Sequence, residues 1–159
     1  MREPISGAWL IQIVVAFVLL FSGYLALSVN YSRSFKMKND IVSMIENNQG
    51  ISGVHDPIFN SIRDHMNSVG FRAFGRCPVG NGWHGLPAAG PPVAVNVANN
   101  TFLLCIQAID VVPADDPQLQ QRTYFRIKTF FNLDLPLFNM IFNLNIDGDT
   151  RQLNTPGLN

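Results

Sequence analysis

From Ile5 to Ser32 the chain contains no Asp, Glu, Lys, Arg or His. That gap excludes an ordinary surface helix, which turns charged residues toward water on its outer face. Charge is thin elsewhere too, at 14% of residues, and it sums to a formal net charge of zero. A neutral chain has no field with which to hold a nucleic acid. There are only two cysteines, Cys77 and Cys105, and they form no C-x-x-C pair, so a zinc ribbon or dithiol redox site is not expected. His55, His65 and His84 lack metal-ligand spacing to one another or to a Cys or carboxylate. No G-x-S-x-G, P-loop or H-E-x-x-H occurs. Nothing brings a nucleophile, a base and an oxyanion site together, so neither an enzyme, a cofactor nor a small-molecule substrate is expected.

What fills the uncharged stretch is grease. Its centre runs Ala8-Trp9-Leu10-Ile11-Gln12-Ile13-Val14-Val15-Ala16-Phe17-Val18-Leu19-Leu20-Phe21. A helix needs roughly 20 apolar residues to cross a bilayer. Val, Ile, Leu and Phe each favour insertion by about 0.3 to 0.6 kcal/mol, and about a dozen of them outweigh Gln12, Ser22 and Ser28. Ala26-Leu27-Ser28 has the small residues of a signal-peptide cleavage site, but the apolar run is too long for that class. The reading is a single-pass anchor with the lipid bilayer as its partner. About 110 to 125 residues remain outside it, enough for one small domain. That domain is weakly charged and rich in Asn, Gly, Pro and Phe, which suits packing against other protein.

The expected fold class is α+β: a long N-terminal helix over residues 1–49, then a domain over 50–159 with a short helix and a small antiparallel sheet. Beyond the lipid, Met37, Ile41, Met44 and Ile45 keep helical spacing, and Gly50 is a C-terminal stop. Lys36 and Asp40 are spaced to pair on the outer face. Tyr24 and Tyr31 mark the interface level. A second helix is predicted from Asp56-Pro57 to about Ser68, with Asp56 as N-cap, Gly70 as terminator and His65 on its solvated surface. Strands are predicted at 71–79, 93–98, 101–112, 123–133, 141–146 and 150–153. Asn99-Asn100 reads as a turn, and Asp147-Gly148 as a hairpin turn rather than part of a calcium loop. Asp115-Asp116-Pro117 reads as a turn or helix start. The glycine- and proline-rich stretch 80–92 reads as a loop that presents Trp83 and His84.

Two cysteines beyond an anchor suggest one disulfide in an oxidising compartment; the alternative is two separate buried thiols. Topology is divided. Arg2 and Glu3 nearly cancel on one flank, while Arg33, Lys36 and Lys38 load the other, which puts the domain in the cytoplasm by the positive-inside count. A disulfide argues for the opposite side. Gln12 admits two readings: a position near the headgroups, or a hydrogen bond to a neighbouring helix. Ser22-Gly23 permits close helix packing or a kink.

An apolar helix opening with Gly7-Ala8-Trp9-Leu10-Ile11-Gln12 and continuing into a small β domain resembles bacterial pilins and pseudopilins, most of all the TadE-like branch of minor pilins. The stretch from Tyr124 to Phe131, with Asp134-Leu135-Pro136 and the run from Ile146 to Thr150, is similar to the same membrane-anchored group in Gram-positive bacteria. The resemblance implies leader cleavage between Gly7 and Ala8. The family carries an acidic residue where this chain has Gln12. It also implies packing between subunits through Gln12, Phe17, Phe21, Ser22 and Gly23, with self-association or other pilin-like subunits as partners. The domain would then be extracytoplasmic, on the cell membrane or in an extracellular filament. The rival expectation is a tethered binding module that does not polymerise, with the Trp83 loop as its ligand surface.

Overall fold

In the computed structural model the described residues are 3–71, 73–80, 82–96, 100–111, 122–135 and 140–154, with side chains described from residue 7 and not for 132–143. The chain is α+β, as its patterning requires. Helix α1 (Glu3–Asn47) is unbroken over 45 residues, roughly 65 Å at 1.5 Å per residue. Helix α2 (Ile58–Ser68) follows. The strands are β1 (Gly75–Arg76), β2 (Trp83–Leu86), β3 (Val93–Ala94), β4 (Thr101–Phe102), β5 (Leu104–Val111), β6 (Arg122–Leu135) and β7 (Met140–Asp149).

Both helices end in the same way with different residues. Gly50 N donates to Ile45 O and Gln49 N to Glu46 O, so α1 closes in a Schellman turn. The residue that must turn left-handed there is Gln49, at φ 60°, one position before the expected Gly50. In α2 the same turn uses Gly70 at φ 71°, with Phe71 N donating to Met66 O.

The start of α2 is held by Asp56. Its carboxylate accepts from Ile58 N and from both the N–H and the hydroxyl of Ser52, each at 2.9 Å. Burial alone pushes this carboxyl up, but hydrogen bonds from Ser52, Ile58 and Asn48 outweigh it and hold it below its ordinary range. A lowered folded-state pKa stabilises above the ordinary carboxylate pKa and is lost as pH falls through the folded value. Asp56→Asn is therefore expected to cost about 1–2 kcal/mol at pH 7. Urea midpoints should converge with the wild type as pH drops below about 4. A gap that persists at low pH would separate Asp56 from this role.

One sheet was expected and two form. The larger has the order β3-β2-β5-β6-β7, all antiparallel, and β1 pairs with β4 in a separate two-stranded piece. Both helices cover one face of the large sheet. Met37, Ile41 and Ile45 of α1 meet Ile58, Phe59, Ile62 and Met66 of α2 and Leu86, Leu104, Ile106, Phe125 and Ile127 of the sheet. The far half of α1 thus packs into the domain core. The other face carries Trp83, Cys105, Phe102 and Phe130.

Several local expectations change. Asp147-Gly148 is no turn, because β7 runs through it with Asp147 opposite Lys128 and Gly148 opposite Ile127. A Cβ there would stand 2.6 Å from Lys38 Cδ, so the Lys38 side chain of α1 lies over the strand at this point. Of 150–153 only a bridge from Leu153 to Thr123 forms. Among the described residues of 71–79 and 93–98 the strands are two residues each, and Val93–Ala94 pairs with β2. Asn99 and Asp115-Asp116-Pro117 lie outside the described residues. Asp40 faces His65 Nε2 of α2 at 3.3 Å rather than Lys36, so His65 bridges the two helices and is not free surface decoration.

Candidate functional site

Among the described residues, no side chain of α1 before Ser34 is buried. Its apolar window is 0% buried, and from Trp9 to Val29 its large apolar side chains stand open, Leu20 at 74%. This is one helix long and apolar enough to cross a membrane. An exposed apolar surface of this extent on a folded chain marks an interaction site for lipid or protein.

The residues expected to pack between subunits divide between two faces. At 3.6 residues per turn, Gln12, Ala16, Gly23, Ala26 and Asn30 fall on one line. Ser34, Met37 and Ile41 continue that line into the domain core. Phe17 and Phe21 lie nearly opposite, their rings stacked at 6.2 Å with 10° between planes. Ser22 returns its hydroxyl to Val18 O at 2.7 Å, so its hydrogen bond is spent within the helix. Gln12 has no side-chain partner among the described residues. The helix continues unbroken through Ser22-Gly23. Gly7 and Ala8 are helical and exposed.

Trp83 and His84 require correction. They open strand β2, hydrogen-bonded to β3 and β5, and do not belong to a loop. Trp83 is only 8% exposed, under Lys128, whose Nζ is 5.8 Å from the ring centre. His84 is half-buried. Glycine and proline punctuate the ends of this stretch, and pairing on both edges makes its centre a strand. Cys77 and Cys105 form a disulfide beside Trp83, with Cα atoms 5.6 Å apart and both residues buried. On the same face Arg126 pairs with Asp149 at 3.0 Å and Lys128 with Asp147 at 3.6 Å. Such exposed pairs contribute little. Among the described residues no group of three or more His, Cys, Asp or Glu is placed to hold a metal.

Sequence reasoning overlooked a second feature. Tyr24, Leu27, Ser28 and Tyr31 of α1 form an apolar notch with Phe131, Leu144 and Asn145 of the β6–β7 pair. Tyr31 meets the Phe131 ring edge-on at 6.3 Å. The signal was available: from Thr129 to Ile146 the only charged residue is Asp134.

The fold and its exposed helix define a class, a helix of membrane-spanning length whose C-terminal half is built into a compact α+β domain. No family model, curated protein or solved structure matches the chain.

Proposed function

We propose that this protein is a membrane-anchored structural subunit, pilin-like or pseudopilin-like, that assembles through the exposed half of α1 with its domain on the extracytoplasmic side. The observation that carries the reading is the line Gln12, Ala16, Gly23 and Ala26, of which Gln12 and Ala16 stand exposed and Gly23 and Ala26 half-buried among the described residues. In lipid, small residues let helix backbones approach, and a polar side chain on the same line gains a partner only from another helix. Phe17 and Phe21 on the opposite face suit lipid in a held complex or a further neighbour in a filament. The rival module that binds a ligand without polymerising places its surface on the loop around Trp83, and the burial of that ring removes one side chain from that surface. The disulfide supports the extracytoplasmic placement, since such bonds persist in oxidising compartments.

Gln12→Leu tests this directly. The variant inserts more readily, because it is more apolar. An interhelical hydrogen bond in lipid contributes roughly 0.6 to 1.7 kcal/mol. Self-association by sedimentation in detergent is therefore expected to weaken about three- to twentyfold. Wild-type protein that sediments as a monomer at all concentrations, unchanged by the substitution, would return the reading to a tethered module.

A further inference from the structure

We propose that the β6–β7 hairpin is a second membrane contact, docking in the headgroup layer of the bilayer that α1 spans. This rests on the anchor reading above and adds a second element to it.

Direction is the first argument. Arg151 N donates to Glu46 Oε1 at 2.8 Å near the far end of α1. Lys38 lies against Gly148. Leu144 and its ladder partner Phe131 share the notch with Tyr24, Leu27 and Tyr31. Each step back along β7 meets a step toward the N-terminus of α1. The ladder then continues through Asn132↔Asn143, Leu133↔Phe142 and Asp134↔Ile141 to Leu135↔Met140. Those last pairs add roughly 13 Å of strand, the rise of about nine helical residues. A ladder holding this heading continues beside the uncharged run, beyond the level of Tyr24.

Composition is the second. Leu133, Leu135, Met140, Ile141 and Phe142 occupy this end of the ladder, with Asp134 the only charge. In water, an apolar edge strand invites aggregation. Here the heading along α1 carries it to lipid, which favours the bilayer over a second copy as its cover.

Depth follows from topology. β7 is the edge of its sheet, and its outer backbone groups have no ladder partner among the described residues. The hydrocarbon interior does not admit an open sheet edge. The described end of the ladder is therefore assigned to the interfacial layer rather than the hydrocarbon interior. Asn132, Asn143 and Asp134 are compatible with that depth.

Tryptophan quenching in proteoliposomes tests the proposal on the full chain. Parent protein places Trp9 in the lipid and Trp83 in the core. In a Trp9→Phe background, Phe142→Trp reports the hairpin and Gln152→Trp, beside Gln49 at the far end, is the control. Relative to the Trp9→Phe parent, whose emission is that of Trp83 alone, brominated phosphatidylcholine is expected to lower the emission added by Phe142→Trp at least twofold and leave that added by Gln152→Trp unchanged. Leu144→Trp, at a partly exposed site, serves if Phe142→Trp fails to form the disulfide. Quenching of Trp9 without quenching at the hairpin overturns this proposal and leaves the anchor standing. No quenching of Trp9 overturns the anchor and the proposal with it. Protection that grows with the protein-to-lipid ratio assigns the face to a second copy, which also overturns it.

Discussion

Deleting residues 1–28 is expected to turn a protein that requires detergent into one that stays in solution with its domain folded. The removed segment holds about a dozen Val, Ile, Leu and Phe residues, together favouring insertion by roughly 4–8 kcal/mol. That shifts partition to the membrane by about three orders of magnitude or more. Among the described residues that segment contributes no side chain to the core, whose α1 members begin at Ser34 and Met37. Loss of Tyr24 and Leu27 opens the notch but leaves Ile41, Ile45, Phe125 and Ile127 covered. Flotation on a density gradient reads the first half of the prediction, and one cooperative urea transition reads the second. A shortened chain that aggregates or melts without cooperativity would mean that the exposed half of α1 is part of the fold.

Breaking the Cys77–Cys105 bond is expected to have the largest effect on stability. The cysteines are 28 apart in sequence. Opening a loop of that size returns about 3.5 kcal/mol of chain entropy to the unfolded state. Domains of this size have only about 5–15 kcal/mol in total. Cys77→Ala with Cys105→Ala should lower the melting temperature by about 15 °C. The loss should be concentrated around Trp83, because the bond ties the segment after β1 to β5 beneath that ring. Near-ultraviolet circular dichroism of Trp83 and the urea midpoint measure it. A loss below about 1 kcal/mol would show that residues 78–104 are already constrained without the bond. On the proposed extracytoplasmic side the bond is maintained, and chain made in a reducing compartment should behave like the double variant.

Much of the architecture was written in local pattern. The length of α1 follows from an apolar run joined to helical spacing at Met37, Ile41 and Ile45, with no glycine or proline between Tyr24 and Gln49. The start of α2 follows from Asp56-Pro57, and the chemistry of that cap is the expected one. The alternation of Phe125 and Ile127 against Tyr124 and Arg126 marked β6, though its reach to Leu135 was not legible. Where local reading failed, a distant neighbour decided. Asp147-Gly148 has the composition of a turn, but α1 overlies it and β6 pairs along it, so it is strand. Trp83 stands amid glycine and proline, yet pairing with β3 and β5 buries it. His65 and Asp40 are 25 apart in sequence, and only the crossing of the two helices joins them.

Taken alone, the order of residues determined the greasy helix, the charge balance and the class of fold, because these depend on composition and short-range spacing. Which half of α1 is left bare, which polar residues share a line with the domain core, and where the β6–β7 pair heads are consequences of packing. A helix presents every side of itself to its surroundings, and only the placement of the sheet decides which side, and which stretch, remains open to lipid or to another subunit.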